Sequence, residues 1–176
     1  SWLEIEDEWG GDLQNFQVAY GYADIFLIDP EGNILFSSFA NDDLGTNLFS
    51  GKHSDTLFAR AAERVLKTGV AGFSDFEVYG PLGDEVIGFV IHDMIDDKGE
   101  KIGLVALAIQ AAQVDFVMKS FSDKKSADVY LVGTDLKMRS NSIHTKEETI
   151  LKKQVDTEQT RLWRQREADK VLDNDL

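Results

Sequence analysis

A chain of 176 residues that is 43% hydrophobic and 10% aromatic has the apolar content for one ordinary core and is not a disordered segment. It contains no cysteine, which excludes disulfides, thiolate metal sites and cysteine nucleophiles. Lys and Arg total 18 against 32 Asp and Glu, a net charge of −14, so phosphate backbones and anionic lipid are repelled and nucleic acid is disfavoured as a partner.

The charge is uneven: residues 1–50 hold ten acids and no Lys or Arg. The plain reading is a solvated acidic surface, and the sharper one is an acidic patch for cations. In chain order, Trp2, Ile5, Trp9, Leu13, Phe16 and Tyr20 step by three and four and form one helical stripe. Gly10 and Gly11 interrupt it and predict a kink. Residues 24–38 read as a hairpin around Asp29-Pro30-Glu31-Gly32, a type I turn by composition. A loop rich in turn formers covers 41–47. Residues 54–68 predict an amphipathic helix capped by Ser54 or Asp55 and stopped by Gly69, with Ala61 and Ala62 small enough to sit close to a sheet.

Three strands follow at about 72–79, 85–95 and 101–110, the last two joined through Asp96–Glu100. Residues 103–109 are apolar at nearly every position, as in a central strand covered on both faces. A short helix over 112–121 comes next, then a hairpin around Gly133-Thr134-Asp135. Beyond residue 146 the chain is charged without a sustained stripe, which reads either as a marginal, partly mobile helix or as the start of a further module. Helices segregated from a mostly antiparallel five-stranded sheet make an α+β fold. In the arrangement expected, the N-terminal helix covers one face, and helix 54–68 with its loops covers the other.

Enzyme signatures are missing. Gly80-Pro81-Leu82-Gly83 has neither the lysine nor the spacing of a phosphate loop. There is no nucleophile elbow. His53, His92 and His144 lie too far apart in sequence to read as a metal pair. The carboxylate pairs Asp42-Asp43 and Asp96-Asp97 fall in polar turns and lack calcium-loop spacing, so they read as solvated loop acids. The chain is therefore not read as an enzyme, and no cofactor or metal is implied.

Four residues are candidates for a ligand pocket: Tyr79, Phe89, His92 and Asp93. Tyr79 ends a strand just before a glycine turn, where an aromatic with a polar tip packs over a sheet end. Within 88–95 an imidazole and a carboxylate interrupt an apolar strand, beginning just past Phe89. Because successive side chains alternate, only one of His92 and Asp93 faces a given side. A satisfied strand-end histidine and a turn-capping aspartate are the competing reading. Phe26, Phe36, Phe73 and Phe76 are assigned to the core.

Residues 22–38 (YADIFLIDPEGNILFSS), 43–51 (DLGTNLFSG), 73–79 (FSDFEVY), 103–110 (GLVALAIQ) and 130–142 (YLVGTDLKMRSNS), taken in order, resemble the Cache domains of bacterial transmembrane receptors. These are PAS-like extracytoplasmic sensor modules of chemotaxis receptors, sensor kinases and some cyclases. The resemblance implies an N-terminal signalling helix over 1–20, a PAS-like sensor module over 21–122, and a partial or degenerate second module over 123–176. It implies a periplasmic domain of an inner-membrane receptor, homodimeric in the full protein and most often a chemoreceptor, that binds a small molecule. The opening at Ser1, with no initiator Met or signal peptide, fits a piece of a larger protein. Members that bind amino acids place an aspartate two positions after the strand-end tyrosine and another in the last strand. In this alignment Pro81 and Ala108 stand there, so a free α-amino acid is disfavoured. The alternative is a filled module without ligand, acting as a dimerisation spacer or docking surface.

Overall fold

The computed structural model describes residues 6–83, 85–122 and 128–174. It divides into two compact units, Ser1–Gln110 and Ala111–Leu176. In the first unit a π-helical turn, Glu6–Gly10, leads into helix α1, Gly11–Tyr20. The change of helix type falls at the glycine pair. Trp2 and Ile5 of the predicted stripe lie outside the described residues.

Six strands form one sheet among the described residues: β1 (Asp24–Ile28), β2 (Ile34–Ser37), β3 (Gly72–Phe73), β4 (Glu77–Val78), β5 (Val86–Ile95) and β6 (Lys101–Gln110). The order is β2-β1-β6-β5-β3, with β4 also on β5, and every pairing is antiparallel. Asp29, Pro30 and Gly32 build the β1–β2 turn as expected, with the Gly32 N–H donating to the Asp29 carbonyl at 3.0 Å.

The predicted strand 72–79 is two short ones, which turns five strands into six. Phe73 pairs with Val90 but Val78 pairs with Val86, so one extra residue is accommodated between them. Ser74 fills the break: its N–H donates to the Phe89 carbonyl, and its hydroxyl accepts the Phe89 N–H at 2.9 Å. Near it Gly88 leaves room for the Phe73 ring, whose tip would lie 2.7 Å from a Cβ there.

Helix α2, Leu57–Thr68, covers the inner face of this sheet. Its cap is Thr56 rather than Ser54 or Asp55, the Thr56 hydroxyl accepting the Ala59 N–H at 3.1 Å. Glu77 on β4 accepts the Leu57 and Phe58 N–H groups at 3.0 and 2.9 Å, so a strand supplies the rest of the cap. Gly69 ends the helix in the left-handed conformation. Phe26, Ile28, Leu104, Ile87, Phe89 and Ile91 meet Phe58, Ala61, Ala62 and Val65 in one fully buried cluster.

The N-terminal stripe behaves differently from its pattern. Trp9, Phe16 and Tyr20 are 55%, 42% and 67% exposed, and the buried residue of α1 is Gln17. The helix is held to the rest of the unit by amides, Gln14 to the Ser38 carbonyl at 3.2 Å and Gln17 to the Tyr22 carbonyl. The stripe's rings associate with one another instead, Phe16 lying 4.5 Å from Tyr20 and 5.9 Å from Tyr22.

The second unit has little sheet. Helix α3 is Ala111–Ser120 and helix α4 is Glu158–Asn174, so the charged tail that lacks a stripe is in part helical. Between them, the predicted hairpin survives as a bridge between Val132 and Met138 around Gly133. Its buried polar anchors are Asp115, which accepts from Asn141 N–H at 2.6 Å and pairs with Lys119 at 2.8 Å, and Arg139, bonded to Asp135 at 2.9 Å. No described helix is long and apolar enough to cross a membrane.

Candidate functional site

The connection from β2 to α2 lies over the same end of the inner face as Tyr79. Tyr79 is fully buried, and its hydroxyl donates to Asp43 Oδ2 at 2.8 Å. Asp43, in the loop assigned from sequence to solvent, is itself fully buried. Its other oxygen, Oδ1, has no hydrogen-bond partner among the described residues, and neither does the buried Nε2 of His53. The His53 and Tyr79 rings are 5.8 Å apart. Burial pushes the Asp43 carboxyl above its ordinary range, against the bond from Tyr79 and with help from the Asp24 charge. Burial likewise raises the Tyr79 phenol, and the neighbouring Asp43, Glu77 and Asp24 charges add to it. Tyr79 is thus a fixed hydrogen-bond donor at any physiological pH.

Aromatic rings make the floor. Phe58 stacks on Phe89 with centroids 3.8 Å apart, and both meet Tyr79 edge-on at 5.7 and 5.1 Å. Phe26 closes the cluster 5.6 Å from Phe58. The middle of the inner face is therefore filled, and open space lies toward the sheet end. There an open cleft of about 320 Å³ is lined by Ala23, Phe39, Asn41, Leu82, Glu85 and Gln110, among others. One of its walls is bonded to Tyr79, the Leu82 N–H donating to the Tyr79 carbonyl at 3.0 Å, and another to Asp24, Asn41 donating to its Oδ2 at 2.9 Å. Ala40, beside Asn41, holds φ +48°, a left-handed conformation that non-glycine residues adopt at a cost.

The four residues singled out from sequence are not brought to one place. Tyr79 and Phe89 lie together in the buried aromatic cluster. Asp93 points to the same face of β5 as Phe89 but at the other end of the strand, about 20 Å from Val86, where β4 pairs. There it lies 3.7 Å from Lys101, whose ammonium donates to the Leu66 carbonyl near the C-terminus of α2. His92 is on the opposite face, largely exposed, with Nδ1 3.0 Å from Asp93 Oδ1. Asp43 and His53 were not among the sequence candidates. Both sit in irregular chain, where no periodicity tells a buried loop acid from a solvated one. The only sequence signal at Asp43 is that it opens the 43–51 segment of the Cache resemblance.

Among the described residues no group of three or more His, Asp or Glu is placed to hold a metal ion.

The α+β, PAS-like/Cache fold is shared with solved ligand-binding and sensory domains of receptors. An extracellular ligand-binding receptor from Desulfohalobium retbaense DSM5692 matches with a TM-score of 0.59 at 14% identity, over 81% of this chain and 24% of that one. The ligand-binding domain of the Campylobacter jejuni chemoreceptor Tlp3, in complex with 4-methylisoleucine, matches with 0.59 at 12% identity, over 77% and 50%. The sensor domain of the V. cholerae histidine kinase DctB matches with 0.52 at 16% identity, over 75% and 46%. The chain spans about half or less of the length of each. No family model matches the sequence, and no curated protein does.

Proposed function

We propose that this chain is the extracytoplasmic small-molecule-sensing domain of a bacterial membrane receptor, of the chemoreceptor type, with no catalytic role. The shared fold supports this reading, and one observation carries it. Two buried polar atoms, Asp43 Oδ1 and His53 Nε2, stand unpartnered beside Tyr79 at the cleft end of the inner face. Leaving a buried polar atom unsatisfied costs about 1–3 kcal/mol, so a pair of them marks a place where a ligand group completes the hydrogen bonding. Tyr79 and Phe89 form the wall of this site. Binding would draw on the difference in ligand affinity between two arrangements of the β2–α2 loop against the sheet. A coupling of about 1–3 kcal/mol, relayed to α1 through the Ser38–Gln14 contact, suffices to bias a signalling helix. Periplasmic placement, membrane anchoring of the parent, a homodimer and a cytoplasmic output domain belong to the same proposal.

The test is a thermal-shift screen over organic acids, amines, nucleobases and sugars, because a ligand that binds only the native state raises Tm. At least one class should raise it, and Tyr79→Ala should abolish the shift while the far-UV spectrum stays folded. A specific observation favours a second reading, that of a ligand-free scaffold or docking module: Phe58 and Phe89 stack where a larger pocket would otherwise open. A screen in which nothing shifts Tm overturns the sensor and leaves the scaffold.

A further inference from the structure

We infer that Asp43 and His53 form a proton-operated latch: one proton held between Asp43 Oδ1 and His53 Nε2 ties the 41–47 loop to the start of α2. The latch regulates the site named above and rests on the sensor reading for that consequence alone. Among the described residues the two atoms are buried and bond neither to another residue nor to one another. The cleft of about 320 Å³ at this sheet end is lined by other residues, and the Tyr79, Phe58 and Phe89 rings are fully buried and packed on one another. A partner for these atoms must therefore arrive without moving the rings, and a proton is small enough. A carboxylate oxygen and the bare nitrogen of a neutral imidazole are both acceptors, so the pair lacks one hydrogen. Adding it makes a charge-assisted N–H···O bond between them.

Each partner is tied to the element it would move. Asp43 Oδ2 accepts from Tyr79 at 2.8 Å, and the Asp43 carbonyl accepts the Thr46 N–H and hydroxyl at 2.9 and 2.7 Å, which fixes it within the 41–47 loop. The His53 carbonyl accepts the Thr56 N–H and hydroxyl at 3.2 and 2.7 Å, and Thr56 is the residue that caps α2. Tyr79 stands beside both, its ring 5.8 Å from that of His53. The other titratable groups around the pair are committed or exposed. Glu77 on β4 caps α2 with both oxygens, Asp24 at the start of β1 is filled with donors, and Asp42, Lys52 and Asp55 are exposed. Burial raises the Asp43 carboxyl, and a charge on His53 acts to lower it, so the imidazolium is the cation that compensates this buried carboxylate. The sign follows. The folded chain holds a proton that the unfolded chain gives up, so the latch is closed and stabilising in mild acid and is lost as pH rises.

The test uses the whole chain with no added solute. In NMR of the ring nitrogens at about pH 5.5, the His53 Nε2 proton should exchange with solvent at least tenfold more slowly than those of His92 and His144, which are exposed. Asp43→Asn, which keeps an oxygen for Tyr79 and leaves an amide N–H in place of Oδ1, should abolish that protection. Between about pH 8 and pH 5.5 the wild type should gain Tm relative to Asp43→Asn, His53→Gln and the double variant, by roughly 4 °C for a tenfold tighter proton. The three variants should behave alike, because losing either partner removes the latch. Exchange at His53 as fast as at His92 and His144 overturns the latch, and so does an unchanged pH dependence of Tm in a folded Asp43→Asn. The exchange measurement on the wild type decides the matter even where a variant fails to fold. A protected proton with a solute screen that shifts nothing leaves the latch and removes the sensor; a hit in the screen with no protected proton does the reverse.

Discussion

Asp24 and Asp43 invite comparison, because both are fully buried carboxylates at one end of the same inner face, and burial raises the carboxyl of each. Asp24 is surrounded. Its oxygens accept from the Ile25 and Ser38 N–H groups and the Ser37 hydroxyl, each at 2.7 Å, and from Asn41 at 2.9 Å. It pins the start of β1 to the end of β2 and to the loop beyond. Among the described residues Asp43 has one side-chain donor, Tyr79, and its Oδ1 meets no partner from another residue. The same chemical group is a structural hub where its valences are filled, and where they are not it is the group on which the proposed sensor role rests. Burial and a raised carboxyl do not tell the two apart; the count of donors does.

The largest expected effect comes from emptying the hub. Asp24→Ala leaves several buried donors without an acceptor and should cost about 3 kcal/mol or more in urea unfolding. A loss under about 1 kcal/mol would mean that the β1–β2 junction does not depend on it. Next, Tyr79→Phe strips Asp43 of its side-chain donor and should cost about 1–3 kcal/mol at neutral pH. The penalty should shrink in an Asp43→Asn background, where no charge is left to strand, and the double-mutant cycle measures that coupling.

The comparison sharpens with pH. Because the folded Asp43 carboxyl binds its proton more tightly than the unfolded one, its contribution is fully present below the ordinary value of 3.8 and is lost as pH rises through the raised folded value. Asp43→Asn should flatten that fall and raise Tm at neutral pH. Asp115 in the second unit should do the opposite. Burial acts to raise its carboxyl, but hydrogen bonds from Lys119 and Asn141 outweigh it and hold the group below 3.8. Its contribution is present above the ordinary value and disappears as pH falls through the lowered one, so Asp115→Asn should remove part of the acid sensitivity of the fold. Melting curves across pH 3–8 for the two variants, about one unit apart, separate the signs. The smallest effect is expected from His92→Ala, an exposed position on the outer face, which should stay within about 0.5 kcal/mol of wild type.

Much of the first unit could be read from the chain. Asp29-Pro30-Glu31-Gly32 makes its turn because proline and glycine fix backbone angles locally, and the apolar run in β6 ends up central because nothing else tolerates it. Tyr79 was legible as an aromatic ending its strand before a glycine turn, and the structure places it against Phe89 in the buried cluster. The α1 stripe misled because a three-four spacing shows that rings share a side, not that a sheet lies beneath them; here they pack on one another and on Tyr22.

What the amino-acid order determined by itself was local: turns, strand alternation, the stop at Gly69, the absence of thiol chemistry and the acidic charge. What only the tertiary structure decided was which polar groups are left with each other. Glu77 caps a helix twenty residues before it, Asp43 meets Tyr79 across 36 residues, and Asp93 ends up far from both. Hydrogen bonding and burial depend on distances between segments that are remote in sequence, and those distances exist only once the chain has closed on itself.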